Sequence, residues 1–389
     1  MNYLLPISRM SSSIKLAQST ASDTKAAVKE LYEGIFDSSV ELVLFFCSSD
    51  YDLNALAEEI NALFPDTTVI GCTTAGEIGP KGYLCRTLAG VSFSTSEFKA
   101  VTTHFDEVGK LNEETCSETI RQLKATLDHK LSGKPVGNRF ALQLIDGLSN
   151  SEEFVTYLVQ RGLAEIPLVG GSAGDDLKFE STQIFYNGAF HSNASVIAII
   201  DTVCPIKIFK TQHFIDGNEP LVVTAADVAS RTVMELNGLP AAEEYARSLG
   251  VSVNDLNATI FAEAPVVIHL NGNEYVRSIQ KVHPDGSLSF YCAIDRGLIL
   301  RKAHGVDLLE NLESAYRDIR HSVGVPQLVL VFDCVFRRLE IEKENLRSAT
   351  ESIMQSNQTV GFNTYGEQFL GIHVNQTLTG IAIGLATDE

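Results

Sequence analysis

A short glycine-centred pattern occurs twice in the chain, and it constrains the fold more than any other sequence feature. Residues 70–77 have the sequence Ile-Gly-Cys-Thr-Thr-Ala-Gly-Glu, and residues 360–367 have the sequence Val-Gly-Phe-Asn-Thr-Tyr-Gly-Glu. In both copies an apolar run and a helical segment come before the pattern, and another glycine-led apolar run comes after it. The glycines allow positive φ and close backbone approach at a turn. We interpret the pair as a duplicated strand–helix–strand–turn–strand module, with a looser third copy at residues 169–175.

Apolar runs bounded by turn residues alternate with amphipathic segments along the whole chain, and such runs are typical of buried strands. The predicted strands are residues 42–46, 69–71, 90–93, 141–145, 168–170, 195–200, 266–270, 328–332 and 380–383. The predicted helices are residues 52–63, 151–163, 307–323 and 342–354. This alternation predicts an α/β (mixed α+β) fold in which mixed β-sheets are flanked by helices.

The chain length and a change of character in the middle of the chain predict two related modules. A chain of 389 residues is long enough for two domains. The change falls at about residues 201–227, before a new strand–turn–helix pattern begins. We therefore expect an N-terminal arm at residues 1–24, with Met10 as an alternative start, a first module at 25–205 and a second at 206–389.

Charge and cysteine usage exclude several classes of function. The chain has 30 Lys and Arg against 49 Asp and Glu, and the formal net charge is −19. This balance, without a basic cluster, argues against partners such as nucleic acid or an anionic membrane surface. The seven cysteines are scattered without a C-x-x-C spacing, which is typical of reduced thiols. With no long apolar span and no basic leader, the sequence predicts a cytoplasmic protein.

These motifs together resemble the FIST family, in which an N-terminal FIST module is followed by a C-terminal one. The resemblance covers about residues 25–385. It rests on the segments 71–77, 170–176, 236–242 and 361–367, followed by 375–377. The resemblance implies a sensory, ligand-binding protein that acts in signal transduction without being an enzyme.

Within that family the chain is similar to the NosP-type haem-containing nitric-oxide sensors. The similarity rests on residues 210–214, 332–338, 365–368 and 373–377. It implies a haem b cofactor, NO or CO as gaseous ligand, and a partner histidine kinase in a two-component or cyclic-di-GMP pathway. A homodimer is compatible with this expectation.

A haem sensor needs an axial imidazole in an apolar pocket and cations near the propionates. His213, next to Phe214 in the segment that distinguishes the branch, is the leading candidate for the haem iron. His191, in a predicted hairpin, is the second. Arg337 or Arg338 is expected to reach a propionate.

An alternative hypothesis is a haem-free sensory module that binds an amino acid or a similar small molecule. Ligands of open α/β sheets bind at the carboxyl ends of strands, where an arginine and acidic groups suit a zwitterion. The ligand-binding candidates are Asp333, Cys334, Tyr365, Glu367 and His373. A third hypothesis, a cysteine-dependent hydrolase or transferase that uses Cys334, has less support, because a reactive thiol needs a base and a depressed pKa.

Overall fold

The body of the protein consists of three copies of one strand–helix unit. The computed structural model describes residues 12–133, 137–270 and 273–386. Each unit begins with an edge strand and a helix, continues as a parallel strand–helix–strand pair, and ends in a hairpin and a returning antiparallel strand. The third copy, which the sequence showed only loosely, is therefore as complete as the other two.

Unit 1 and unit 2 follow each other directly. Unit 1 contains β1 (Ile14–Ser19), α1 (Thr24–Ile35), β2 (Val40–Ser48), α2 (Leu53–Leu63), β3 (Thr68–Thr74), β4 (Glu77–Gly79), β5 (Gly82–Leu84) and β6 (Leu88–Ser94). Unit 2 contains β7 (Phe98–Phe105), a 3-10 turn (Val108–Lys110), α3 (Glu113–Leu131), β8 (Asn138–Ile145), α4 (Glu152–Leu163), β9 (Leu168–Ser172), β10 (Ile184–Tyr186), β11 (Ala189–His191) and β12 (Ser195–Thr202).

Unit 3 is interrupted after its first strand, β13 (Ile206–Thr211), by an inserted domain. The insert contains β14 (Phe214–Asp227), β15 (Thr232–Leu236), β16 (Leu239–Pro240), α5 (Ala241–Leu249), a 3-10 turn (Val253–Asp255), α6 (Ala258–Glu263), β17 (Val266–Leu270), β18 (Asn273–Arg277), β19 (Ile279–Val282), β20 (Leu288–Phe290) and β21 (Ile299–Gly305). Unit 3 resumes with α7 (Leu308–Val323), β22 (Leu328–Cys334), α8 (Val335–Lys343), α9 (Arg347–Ser356), β23 (Thr359–Thr364), β24 (Glu367–Phe369), β25 (Ile372–Val374) and β26 (Leu378–Ile383).

The three units exchange their hairpins in a ring. The hairpin β4–β5 of unit 1 pairs with β23 of unit 3, and the hairpin β24–β25 of unit 3 pairs with β9 of unit 2. The hairpin β10–β11 of unit 2 in turn pairs with β3 of unit 1. The resulting six-stranded sheets have the orders β1-β6-β2-β3-β10-β11, β25-β24-β9-β8-β12-β7 and β13-β26-β22-β23-β4-β5. Each sheet therefore contains strands of two units.

The first glycine of the repeated pattern allows the two parallel strands of each unit to approach closely. A Cβ at Gly71, Gly170 or Gly361 would lie within 2.6 Å of a carbonyl oxygen on the neighbouring strand. The inner faces of the three sheets share one core, in which the rings of Phe46 and Phe362 lie 4.8 Å apart. The helices cover the outer faces, and the repeat thus fixes both the pairing and the shared core.

Helix α7 illustrates how the sequence sets an element. Asp307 caps its first turn by accepting from the Glu310 amide at 2.8 Å, and Gly324 at φ 74° ends it. Its buried residues are Leu308, Leu312, Tyr316, Ile319 and Val323, which lie on one face at helical spacing. The remaining faces stay polar, so α7 packs as a surface helix.

The predicted α/β class is confirmed, and every predicted strand overlaps an observed one. Two predictions were wrong in detail. The helix predicted at residues 342–354 is two helices, α8 and α9, because Asn345 takes a positive φ of 57° between them. The predicted arm at 1–24 contains β1, which pairs with β6. Residues 1–11, including Met10, lie outside the described residues.

Candidate functional site

The glycine-centred turns of the three units meet at the carboxyl ends of the parallel strands. Backbone hydrogen bonds run from Ala75 N to Asn363 O (3.0 Å), from Gly174 N to Thr73 O (3.0 Å) and from Tyr365 N to Ser172 O (3.3 Å). Gly76 and Gly366 have φ of 137° and 154°, which L side chains rarely adopt. The turns thus form a closed ring, and the predicted ligand-binding residues in the unit 3 turn are part of it.

Glu367, a predicted ligand-binding residue, fastens its own turn from inside. Its buried carboxylate accepts from Thr364 Oγ1 at 2.5 Å and from Thr377 Oγ1 at 2.6 Å. Glu77 repeats this arrangement in unit 1 with Thr87, whose hydroxyl donates at 2.7 Å. Burial raises the pKa of Glu77 to about 7 and that of Glu367 to about 8. Glu367 therefore lies inside the fold, where it braces its own turn.

Asp333 and Arg337 form the centre of a buried polar chain. Arg337 Nε donates to Asp333 Oδ1 at 2.7 Å, and Tyr83 Oη donates to Asp333 Oδ2 at 2.6 Å. Arg337 Nη1 lies 3.1 Å from His213 Nδ1, and His213 Nε2 lies 2.8 Å from a Glu340 oxygen. Because a guanidinium only donates, His213 accepts at Nδ1 and carries its proton on Nε2. Burial also lowers the pKa of His213, so the imidazole is neutral.

His213 does not fit a haem ligand in this arrangement. A proximal histidine binds iron through one ring nitrogen and usually donates a proton from the other. His213 is 0% exposed, its Nε2–H points to Glu340, and its Nδ1 faces the donating guanidinium of Arg337. An iron at Nε2 would displace Glu340 and move the ring proton to Nδ1, where it would meet Arg337.

The other predicted cofactor residues lie apart from His213 or are already paired. Arg338 donates to Asp176 at 3.2 Å and to Glu342 at 3.0 Å, so its guanidinium is not free for a propionate. His191 lies in β11, within the predicted hairpin, and its ring stacks on Tyr186 at 4.0 Å. The structure therefore does not bring the four residues together as one haem pocket.

Cys334 is a buried thiol at the end of β22. Its side chain is 2% exposed, and burial raises its pKa well above the ordinary value. Catalysis by cysteine needs the thiolate. The arrangement around Cys334 therefore gives no support to the hydrolase hypothesis.

Two predicted residues, Tyr365 and His373, line a cavity of about 500 Å³ between units 2 and 3 and the insert. One wall is aromatic: the rings of Phe179 and Tyr365 lie 4.8 Å apart, and those of Phe179 and Tyr291 lie 6.2 Å apart. We call this space the central cavity. Its position at the carboxyl end of β8 and at an interface between structural units is typical of ligand sites.

The lining of the central cavity also carries charged and polar groups. Arg231 donates to Glu152 at 2.9 Å and to the Tyr291 carbonyl at 2.7 Å. Lys281, on β19, is exposed and lines the same space, as does His283. The cavity thus combines an aromatic wall with both a carboxylate and cationic groups.

His373 and Tyr365 are held in place by the turns around them. Burial lowers the pKa of His373 well below its usual range, and nearby Arg231 adds to the effect, so the imidazole is neutral. Tyr365 Oη donates to Asp175 and accepts from the Leu177 amide at 2.8 Å. Asp175 also accepts from the Phe179 amide at 2.9 Å, so one hydrogen-bond set positions both rings of the aromatic wall.

Sequence reasoning missed Glu152, Phe179, Arg231 and Lys281. Arg231 and Lys281 come from the insert, and they reach the cavity only because the insert folds back over unit 2. Glu152 was recognised only as part of a helix start. The sequence offered one signal for these residues: the glycine-rich turn at residues 169–175 is followed by an aromatic residue, Phe179.

Comparison with protein-family models gives two adjacent matches, the FIST N domain at residues 41–239 and the FIST C domain at residues 241–370. The chain belongs to the FIST family. FIST domains are generally sensory domains of signalling proteins. The two FIST matches meet inside the insert, so the central cavity draws Glu152 from the first and Tyr365 from the second. A comparison with curated proteins gives no match.

Across residues 12–133, 137–270 and 273–386, no helix combines the length and the apolar character needed to cross a bilayer.

Proposed function

We propose that this FIST protein is a sensory module that binds an amino acid or a similar small zwitterion in the central cavity. The observation that carries the proposal is the composition of the cavity wall. An aromatic face, a buried carboxylate, the guanidinium of Arg231 and the exposed ammonium of Lys281 surround about 500 Å³ at a junction of three structural units. Ligand sites commonly combine apolar walls with a few convergent polar groups in this way.

The charged groups suggest how the ligand is oriented. Lys281 and His283 lie on the insert side, where the ammonium of Lys281 suits a carboxylate. Glu152 is only 2% exposed and already accepts from Arg231, from the Ser149 hydroxyl and from the Asn150 amide. A carboxylate has about four acceptor positions, so one is left for an ammonium. The wall of Phe179 and Tyr365 would then receive the side chain, which favours an amino acid with an apolar or aromatic side chain.

The same geometry provides a route for signalling. The ligand would contact Glu152 on the three-unit body and Lys281 on the insert, so its affinity depends on how the two are arranged. A ligand with different affinity for two arrangements shifts their populations. We propose that this shift changes the surface presented to a partner, such as a histidine kinase.

Binding can be tested by thermal unfolding of the full chain against the common amino acids, followed by calorimetric titration of those that stabilise it. A ligand at 100 times its Kd should stabilise the protein by about 2.7 kcal/mol. Lys281→Met should weaken binding about tenfold by removing a charge-assisted contact. Lys29→Met, on the exposed face of α1, is the matched control and should leave the affinity unchanged. If no amino acid stabilises the chain, or if both variants behave alike, the proposal is wrong.

Haem-based sensing of nitric oxide is the competing proposal. The observation against it is that the hydrogen bonds of His213 to Glu340 and Arg337 would have to break before iron could bind. The observation in its favour is that Phe214 packs on His213, and that an apolar cleft lies beyond Glu340 on the same side. Protein expressed with a haem supply should then show a Soret band that moves with NO and is lost in His213→Ala. A colourless protein that takes up no added hemin would reject this alternative and leave amino-acid sensing unaffected.

A further inference from the structure

A cleft of about 480 Å³ lies between α6 and α8, away from the central cavity. Its walls include Ala262 and Leu339, and Phe214 lies at its floor. The ion pair of Glu263 with Lys343 joins the two helices at its mouth. Most of the lining is apolar, but Glu340 contributes a carboxylate to the inner wall. We call this space the α6–α8 cleft.

The buried polar chain that ends at Glu340 carries one more negative charge than positive charges. The buried chain holds two carboxylates, Asp333 and Glu340, and a single guanidinium, Arg337. Arg337 is paired with Asp333 at 2.7 Å, with both side chains within 1% of full burial. His213 cannot supply a second positive charge, because its Nδ1 already accepts from Arg337. One negative charge is therefore left over on Glu340.

A carboxylate that faces an apolar cleft without a balancing cation attracts one. The protein's own nearest rim cation, Lys343, is engaged by Glu263, and the rim carries a further acid at Glu344. Glu340 is 19% exposed, so it is reachable from the cleft. Its two oxygens receive one N–H from His213, which leaves acceptor positions for a ligand.

We propose that the α6–α8 cleft binds an organic ammonium ion with an apolar body, whose charged end pairs with Glu340. The apolar body would lie between Ala262 and Leu339. This site shares no lining residue with the central cavity. A ligand here would contact Glu340, the carboxylate that holds the His213 ring in place. His213 in turn contacts Arg337, which lies at the centre of the buried polar chain.

The proposal can be tested on the full chain with three probes of similar shape: n-hexylamine, 1-hexanol and hexanoate, measured by titration calorimetry and saturation-transfer NMR. Hexylamine should bind about ten times more tightly than hexanol, because only the amine forms a charge-assisted hydrogen bond. Hexanoate should bind more weakly than both. Equal affinity for amine and alcohol, or no saturable amine binding at millimolar concentration, would overturn the proposal.

Variants assign the preference to Glu340. Glu340→Gln keeps an acceptor for His213 and removes the charge, so the amine should lose its advantage over the alcohol. Glu310→Gln, on the exposed face of α7, should retain it. Ala258→Leu, at the exposed cleft mouth, should weaken all three probes while leaving the fold intact. An amine preference that survives Glu340→Gln would exclude the site.

Two further controls separate this site from the others. Lys281→Met lies in the central cavity and should leave hexylamine affinity unchanged, whatever the fate of the amino-acid proposal. Hemin that binds through His213 and displaces hexylamine would show that the cleft serves a different ligand, and would likewise overturn the proposal.

Discussion

Arg337 Nε donates to Asp333 Oδ1 over 2.7 Å, and neither side chain is more than 1% exposed. Tyr83, from the hairpin of unit 1, donates to the second oxygen of the same carboxylate. The pair therefore joins a strand and a helix of unit 3 to a hairpin supplied by another unit. A ligand role for Asp333 would require opening this junction.

Arg337→Met should destabilise the protein by about 3–5 kcal/mol, because it leaves the Asp333 carboxylate buried without its cation. The matched control is Arg347→Met, whose guanidinium is 44% exposed and pairs with Glu351 on α9. An exposed pair contributes about 0–1 kcal/mol. Urea denaturation of the two variants measures the difference, and equal losses would contradict the assigned burial of the pair.

Gly366→Ala should destabilise the protein more than Gly238→Ala. Both positions have positive φ, but a Cβ at Gly366 would lie 2.2 Å from His373 Cε1, whereas nothing lies within 4 Å of a Cβ at Gly238. The control should cost about 1–2 kcal/mol from backbone strain alone. Gly366→Ala adds a collision inside the central cavity, and it should also weaken ligand binding. Denaturation midpoints that fall equally would argue against the collision.

The free energy of unfolding should fall as the pH rises from about 6.5 to 8. Below that range the buried, neutral His213 and His373, whose pKa values are lowered from 6.5, oppose the effect. Burial raises the pKa of Glu77 to about 7 and of Glu367 to about 8, against an ordinary value of 4.5. In this window the folded state binds more protons than the unfolded state, and stability then decreases with pH. Urea unfolding at unit pH steps measures the slope.

The same pH series applied to variants identifies the groups responsible. Glu77→Gln and Glu367→Gln should each flatten the slope, because a neutral amide does not titrate. Glu58→Gln, on the exposed side of α2, should leave it unchanged. A slope that persists in the double variant Glu77→Gln/Glu367→Gln would show that other groups take up the protons.

Tyr365→Phe should destabilise the protein by about 1–3 kcal/mol, because the Leu177 amide loses its acceptor and Asp175 loses a donor. The loop that carries Phe179 should then loosen, and ligand affinity should fall. Tyr157→Phe is the control, since Tyr157 is 52% exposed on α4. Hydrogen exchange across residues 174–180 that is identical in both variants would contradict this role.

The sequence was sufficient to predict the fold class, because the patterns that mark strands and helices involve residues close together in the chain. Glycine-led turns and apolar runs such as residues 328–332 mark strands through the residues next to them. The hairpin exchange was not predictable in this way. Each hairpin pairs with a strand of another unit, as Glu77 pairs opposite Phe362, and no local pattern specifies that partner.

The candidate residues divide according to burial, which sequence patterns do not report. Tyr365 and His373 were predicted from a turn and a strand entry, and they line the central cavity. Asp333 and Glu367 belong to equally suggestive motifs, yet they are completely buried and hold elements together. A carboxylate at the end of a strand looks the same in sequence whether it faces a ligand or a threonine of the same turn.

The exchange of hairpins also determines whether the two FIST halves of the chain can be separated from each other. The first FIST match lacks β24–β25, which complete the sheet of unit 2, and the second lacks β4–β5, which complete the sheet of unit 3. Neither half therefore contains all the strands its own sheets require. Because each half needs strands that the other supplies, we expect the two halves to unfold together and neither to fold when expressed alone.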